Sequence, residues 1–118
     1  MVTVDMVSFL ITLRMIIFII IGHCVGDYLF QSSYLALNKG KDKYLLFVHS
    51  VLYAFGVILT AYIFTIEISV LQILALFITH MIIDYTRTNN VIIVVLGEKG
   101  VLIVDQIMHY LILFLVFL

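Results

Sequence analysis

Three histidine–aspartate pairs lie in the most apolar stretches of this 118-residue chain. The pairs are His23 with Asp27, His80 with Asp84, and Asp105 with His109. The two residues of each pair are four positions apart, so on an α-helix they share one face. Imidazoles and carboxylates are ligands for zinc, manganese and iron, and they also serve in acid–base catalysis and proton transfer. The spacing therefore predicts three helical pairs that could bind a metal ion or move protons.

The composition places these pairs in a membrane. Hydrophobic residues make up 65% of the chain and charged residues only 11%, whereas a soluble domain carries about 25% charged residues. This balance excludes an ordinary water-soluble domain and predicts an integral membrane protein. No nucleic-acid-binding module is visible in the sequence. At about 20 residues per span, the chain has room for four transmembrane helices and no separate soluble domain.

The apolar runs predict where these helices lie. We expect one domain over 1–118, an all-α membrane protein in which four transmembrane helices form a compact bundle. The expected spans are about 15–31, 45–66, 68–86 and 101–118. The segment VIIVVL at 91–96 fits an early start of the last helix, a re-entrant piece or a short interfacial element, and its pattern leaves all three open.

Charge predicts the orientation of the bundle. Five basic residues lie in two of the connections. They are Lys39, Lys41 and Lys43 in the first connection, and Arg87 and Lys99 in the third. The second connection carries only the acidic Glu67. The positive-inside rule then places connections one and three in the cytoplasm and both termini outside, in a multi-pass protein of the cytoplasmic membrane.

The order of residues within the pairs predicts that they meet. The first and third spans run toward the cytoplasm and read His then Asp, whereas the fourth runs away from it and reads Asp then His. All three aspartates should therefore form one layer near the cytoplasmic face, with the three histidines about 6 Å deeper. His49 in the second span falls near the same layers, with Tyr53 on the same helical face. Gln31 and Gln106 flank the predicted cluster.

Charged residues exposed to lipid would each cost about 2.5 to 3.5 kcal/mol, so the residues of the cluster must face the inside of the bundle. Three functions for such an inward-facing cluster remain open. The first is a site for one or two divalent metal ions, zinc, manganese or iron, able to activate water for hydrolysis. The second is a proton or ion relay. The third is a set of polar contacts that hold the helices together.

For the metal site, we predict six ligands and two acid–base candidates. The ligands are His23, Asp27, His80, Asp84, Asp105 and His109. His49 is a further ligand or an acid–base group, and Asp105 is a ligand or the base. Gln31, Gln106 and Tyr53 would complete the polar site.

Four motifs together resemble a known family. They are GHCVGDYLFQ, KDKYLLFVHSVLY, THMIIDYTR and VDQIMHY. They resemble a small bacterial and phage membrane family known as domain of unknown function 3307, from about residue 15 onward. That family's pattern has His, Gly-Asp and Gln in the first helix, His in the second, His-x3-Asp in the third and Asp-Gln-x2-His in the last. The matching residues are His23, Gly26, Asp27, Gln31, His49, His80, Asp84, Asp105, Gln106 and His109.

This resemblance implies a four-helix protein of a bacterial-type membrane, and it names no activity. A looser similarity to membrane-bound metal-dependent hydrolases implies metal chemistry. The chain is short before the VIIVVL segment, so no substrate-binding loop is carried over from the family.

The leading prediction is a metal-dependent membrane hydrolase of a lipid-linked or phosphorylated substrate, with the lipid bilayer as its surroundings. The alternatives are a small proton-coupled or ion-conducting protein, acting as a homo-oligomer, and a non-catalytic membrane interaction protein. A metal at the cluster would favour the first, and metal-independent proton flux the second.

Overall fold

The chain folds into helices throughout its described part. The computed structural model describes residues 1–87 and 90–118, and it describes side chains in the second part from residue 94 onward. Helix α1 (Val4–Cys24) continues into a π-helical turn (Val25–Leu29). It is followed by the short α2 (Ser33–Asn38) and by α3 (Lys43–Ile63), α4 (Val70–Arg87) and α5 (Asn90–Phe117). No strand occurs within these described ranges. Four of the helical segments are long and apolar enough to cross a membrane, which confirms the predicted all-α fold class.

Polar side chains begin three of the helices. The hydroxyl of Thr3 accepts a hydrogen bond from the backbone of Met6 at the start of α1, and Ser32 and Asp42 cap α2 and α3 in the same manner. Such caps satisfy backbone N–H groups that have no partner within the helix. The cap at Thr3 explains why helix α1 begins at Val4, before residue 15, where the predicted membrane span begins.

The four long helices form a ring. Helix α1 packs against α3, α3 against α4, α4 against α5, and α5 closes back on α1. One half of the ring is filled by apolar side chains that are shielded from the surroundings. They are Phe18, Ile19, Val57, Ala61, Leu76 and Leu113. The buried histidines and aspartates fill the other half. Large apolar side chains cover much of the outer surface, as lipid-facing helices require.

Arg14 marks the end of the bundle that is opposite to the lysines. Its guanidinium donates to the backbone carbonyls of Phe64 and Thr65 and to the Thr65 hydroxyl. These carbonyls follow the last turn of α3, where backbone acceptors lack partners in the helix. Arg14 therefore ties α1 to the end of α3.

A glycine breaks α5 near its start. Gly97 has φ 71° and ψ 166°, in the left-handed region that glycine adopts without strain. The sequence left the conformation of the VIIVVL segment open. In the structure its backbone is helical and belongs to a piece that begins at Asn90. Gly97 separates this helical piece from the long membrane helix that follows. Residues 88 and 89 of the predicted third connection lie outside the described residues.

Two glycines bring the π-helical turn into backbone contact with α3. A Cβ atom on Gly56 would lie 2.6 Å from the Cα of Gly26, and a Cβ on Gly26 would lie 2.7 Å from the carbonyl oxygen of Tyr53. Since these neighbours are backbone atoms, they cannot rotate away. The close approach carries Asp27, the next residue, to the side of α3 that bears His49.

We expect Gly56→Ala to destabilise the protein, because the added methyl group would push the π-helical turn away from α3. Overpacking of this kind costs about 1 to 3 kcal/mol. Thermal unfolding in detergent micelles measures the effect. Gly22→Ala is the matched control, because its added Cβ would meet only side-chain atoms, the nearest at 3.6 Å. Equal melting temperatures for the two variants would contradict the close approach.

Candidate metal centre

Four buried side chains from three elements converge at the polar end of the ring. Asp27 comes from the π-helical turn, His49 from α3, and His80 and Asp84 from α4. The Nε2 atom of His49 lies 3.1 Å from Asp27 Oδ1, 3.0 Å from His80 Nε2 and 3.2 Å from Asp84 Oδ2. His80 Nε2 lies 3.5 Å from Asp84 Oδ2 and 3.9 Å from Asp27 Oδ1. We call these four residues the first ligand group.

These distances fit the shell of a metal ion. Four ligand atoms placed tetrahedrally at about 2.0 to 2.1 Å from a zinc ion are about 3.3 Å from one another. A ring nitrogen of histidine carries either one hydrogen or one lone pair, so it makes one strong hydrogen bond. His49 Nε2 nevertheless has three ligand-type atoms within 3.2 Å. Convergence on a shared centre is the arrangement that a cation requires, and this cluster could hold one.

The π-helical turn is what positions Asp27. The backbone N–H of Phe30 donates to the carbonyl of Val25, five residues earlier, at 3.2 Å. Such turns inside α-helices occur frequently at functional sites. They widen the helix by one residue, so Gln31 does not continue the four-residue spacing of His23 and Asp27 on one helical face. Gln31 lies beyond the end of the π-helical turn.

Lys39 supplies positive charge to the first ligand group. Its Nζ donates to Asp84 Oδ2 at 2.7 Å and to His49 Nε2 at 3.1 Å, and it lies 4.0 Å from Asp27 Oδ1. The sequence places Lys39 in a charged connection, where it predicts the orientation of the bundle. Its role depends on α2, which Ser32 caps and which packs against α3. A six-residue helix is too short for hydrophobic periodicity to reveal which side chain it turns inward.

A second ligand group shares Asp84 with the first. It consists of Asp84, Asp105 and His109, one ligand atom from each lying within 4.8 Å of the others. His109 Nε2 is 3.5 Å from Asp84 Oδ1, the carboxylate oxygen that faces away from Lys39. All three residues are at most 5% exposed.

His23, Gln106 and Tyr53 surround the two ligand groups. His23 Nε2 donates to Gln106 Oε1 at 2.9 Å, and Gln106 Nε2 donates to Asp105 Oδ2 at 3.0 Å. Nε2 of His23 also lies 3.6 Å from Asp27 Oδ2, but its hydrogen is already donated to Gln106. Tyr53 stacks on the ring of His80, with ring centroids 3.7 Å apart and planes 11° apart. These three side chains hold the ligands in place from outside.

The outer ring nitrogens of two first-group histidines have no hydrogen-bond partner within the described residues. They are Nδ1 of His49 and Nδ1 of His80. Most metal-binding histidines donate this N–H to a carboxylate or carbonyl, and loss of that partner lowers metal affinity about 10- to 100-fold. Stacking on Tyr53 orients His80 instead, so we expect weaker binding than in a closed structural zinc site.

A pocket of about 190 Å³ opens beside the first ligand group. It is lined by Asp27, Tyr28, Gln31, Ala36, Lys39, Arg87, Leu102 and Gln106. Arg87 also reaches Asp105, with 3.6 Å between its guanidinium and Oδ2. Gln31 lies on the wall of this pocket, where its Oε1 has no hydrogen-bond partner among the described residues. The pocket carries two cationic side chains next to a carboxylate of the first ligand group.

The fold and the site together define a class: an α-helical membrane protein with four apolar helices and a buried histidine–aspartate cluster that could hold a metal ion. The chain belongs to the family described as "Protein of unknown function (DUF3307)", whose profile matches residues 15–118. This confirms the family indicated by the four motifs. No curated protein and no solved structure matches the chain.

Proposed function

We propose that this protein is a metal-dependent hydrolase that acts in the membrane on a phosphorylated or lipid-linked substrate. The observation that carries the proposal is the convergence of four buried ligand atoms next to a pocket that contains Lys39 and Arg87. The roles of the individual residues follow from their positions.

The first ligand group would hold the metal through Asp27, His49, His80 and Asp84. A divalent ion bound there would polarise a phosphoryl group and activate water for hydrolysis. Four protein ligands fill the tetrahedral shell of zinc, whereas manganese and iron accept more ligands and would keep positions open for a substrate. The donor set therefore favours manganese or iron for catalysis. We assign His49 as a ligand rather than an acid–base group, because its Nε2 lies within 3.2 Å of the other three ligand atoms.

The pocket supports an anionic substrate. Lys39 and Arg87 present cationic side chains on its wall, and arginine matches the geometry of phosphate oxygens. Tyr28 lines this pocket and also an apolar groove on the outer face of α1 that includes Ile20, Ile21 and Leu29. A phosphate in the pocket would thus have an apolar surface beside it for a hydrocarbon chain, as a lipid-linked substrate needs.

Lys39 and Arg87 indicate which side of the membrane the site faces. Lys39 and Arg87 contact the ligand groups, so the cluster lies at the end of the bundle that carries connections one and three. The positive-inside rule places that end at the cytoplasmic face and both termini outside. The substrate would therefore enter from the cytoplasmic leaflet.

The buried apolar side chains of the helix bundle favour hydrolysis over the transport of protons or ions across the membrane. Phe18, Ile19, Val57 and Leu113 are fully buried and fill the bundle between the cluster and the Arg14 end. A proton or ion pathway across the membrane needs polar groups or water along its length. Among the described residues, the ionisable side chains of the cluster reach only part of the way.

The test combines metal content with phosphate release. We expect purified protein loaded with manganese to release phosphate from diacylglycerol phosphate or a prenyl diphosphate in mixed micelles. Asp27→Asn should lower metal affinity and phosphate release at least about 100-fold, because it removes an anionic ligand. Asp5→Asn, an exposed aspartate in the first turn of α1, is the matched control and should change neither.

Two results would contradict the proposal. A parent protein that stays free of metal after incubation with manganese, iron and zinc would exclude the metal site. A parent that binds metal but releases no phosphate from either substrate would exclude the proposed reaction and leave the metal site standing.

A further inference from the structure

The second ligand group presents three electron-rich atoms that lack a hydrogen-bond partner among the described residues. Asp84 Oδ1, Asp105 Oδ1 and His109 Nε2 are buried, and within the described part of the chain none of them has a hydrogen-bond partner. A buried carboxylate oxygen or ring nitrogen without a partner is costly, so native structures rarely leave one. Three such atoms on the three members of one ligand group point to a missing ligand.

The remaining polar atom of each of these three side chains has a hydrogen-bonding contact. These contacts fix the direction of the atoms that lack one. Asp84 Oδ2 accepts from Lys39, and Asp105 Oδ2 accepts from Gln106. His109 Nδ1 lies 2.8 Å from the backbone carbonyl of Asp105. Because a carbonyl only accepts, Nδ1 carries a hydrogen, and in the uncharged tautomer with that hydrogen Nε2 presents its lone pair 3.5 Å from Asp84 Oδ1.

This arrangement of His109 is the one found in metal sites. A metal-binding histidine usually donates its other ring N–H to a carbonyl or carboxylate, which fixes the ring and directs the lone pair at the metal. A lone pair that faces a carboxylate oxygen is otherwise repulsive. A metal ion or a hydrogen-bond donor between Nε2 and Asp84 Oδ1, or a hydrogen on Nε2 itself, would make this contact favourable.

We infer that Asp84, Asp105 and His109 hold a second divalent metal ion, with Asp84 as a carboxylate bridge between two metals. Oδ2 of Asp84 faces the first ligand group and Oδ1 faces the second. The inference rests on the proposed metal site, because the two groups share this side chain. Three protein ligands leave a coordination position open, which is typical of catalytic rather than structural metals.

A pair of metals would suit the proposed reaction. Two ions can stabilise the attacking and the leaving oxygen of a phosphoryl transfer at the same time. Asp105 and Arg87 also line a cleft of about 100 Å³ between α4 and α5, so the second ligand group borders a space other than the first pocket. Asp105 is then a ligand of the second metal rather than a free base.

Manganese titration followed by electron paramagnetic resonance tests this inference without an activity assay. We expect the parent protein to bind two Mn²⁺ ions and to give the exchange-coupled spectrum of a carboxylate-bridged pair. His109→Ala and Asp105→Asn should each bind one Mn²⁺, with the six-line spectrum of an isolated ion. Ile107→Ala, an exposed neighbour on α5 that lines neither the cleft nor the pocket, is the control and should keep the coupled pair.

The outcomes separate this inference from the proposed function. A parent that binds one uncoupled Mn²⁺ overturns the second site and leaves the first intact. A parent that binds none overturns both. Two ions that persist in both His109→Ala and Asp105→Asn overturn the assignment of these ligands. Asp105→Asn preserves the shape of the side chain, so it decides the question if His109→Ala fails to fold.

Discussion

Asp84→Asn is expected to abolish the stabilisation of the protein by metal. Asp84 belongs to both ligand groups, and each of its carboxylate oxygens faces one of them. Asparagine keeps the size of the side chain but removes its charge and replaces one acceptor oxygen with a donor. A metal ion at a hundredfold excess over its Kd stabilises the folded state by about 2.7 kcal/mol. We expect thermal unfolding in micelles to show this rise for the parent and none for the variant.

Asp84→Asn also changes the stability of the metal-free protein. Lys39 is only 12% exposed, and it would lose its closest carboxylate partner. Removing one member of a buried ion pair costs about 3 to 5 kcal/mol, although relief of repulsion between carboxylates offsets part of this. The comparison is therefore made within each protein, with and without manganese. Asp5→Asn should keep the full metal-dependent rise, and an equal rise in Asp84→Asn would contradict a shared ligand.

Lys39→Met is expected to raise metal affinity about tenfold or more while lowering activity toward anionic substrates. The Nζ atom of Lys39 contacts two members of the first ligand group, so its charge competes with that of a metal. Two unit charges 4 Å apart interact by about 4 kcal/mol at an effective dielectric constant of 20. Lysine can swing away when a metal binds, so we expect a smaller gain of about 1.4 kcal/mol, or tenfold.

The activity change follows from the pocket. If Lys39 turns toward the substrate when the metal binds, methionine removes one of two cationic contacts to the phosphate, and KM should rise. Isothermal titration with manganese and phosphate-release kinetics measure the two effects. Lys41→Met is the matched control, because Lys41 is exposed in the same connection. Unchanged metal affinity in Lys39→Met, combined with lower stability, would mean that Lys39 is a structural counter-ion only.

The residue pattern was enough to predict the class of the protein and the histidines and aspartates of its cluster. High apolar content and low charge predicted a membrane bundle, since charged side chains are costly in lipid. The spacing of four residues identified three histidine–aspartate pairs, because helical geometry alone decides which side chains share a face. The reversed order of Asp105 and His109 on α5 indicated that the pairs would meet at one depth. These inferences depend on local geometry and on the membrane, and both can be read from sequence.

Tertiary packing decided how the cluster is divided. Spacing does not specify which helices are neighbours or how far each is rotated about its axis. The ring order therefore had to come from the structure, and it separates the ligands into two groups that share Asp84. The same packing turns His23 toward Gln106 and so withdraws its Nε2 from the ligands. Equal spacing in the sequence thus led to different contacts for the three histidines.

Local departures from regular helix also required the structure. The π-helical turn, pressed against α3 through Gly26 and Gly56, sets the position of Asp27 and ends the helix before Gln31. Helix α2 folds back and carries Lys39 into the cluster, although its sequence suggested only a charged connection. The sequence by itself determined the membrane fold class and the histidines and aspartates of the cluster, because these follow from periodicity and polarity. Only the tertiary structure decided which atoms face one another, because this depends on contacts between residues far apart in the chain.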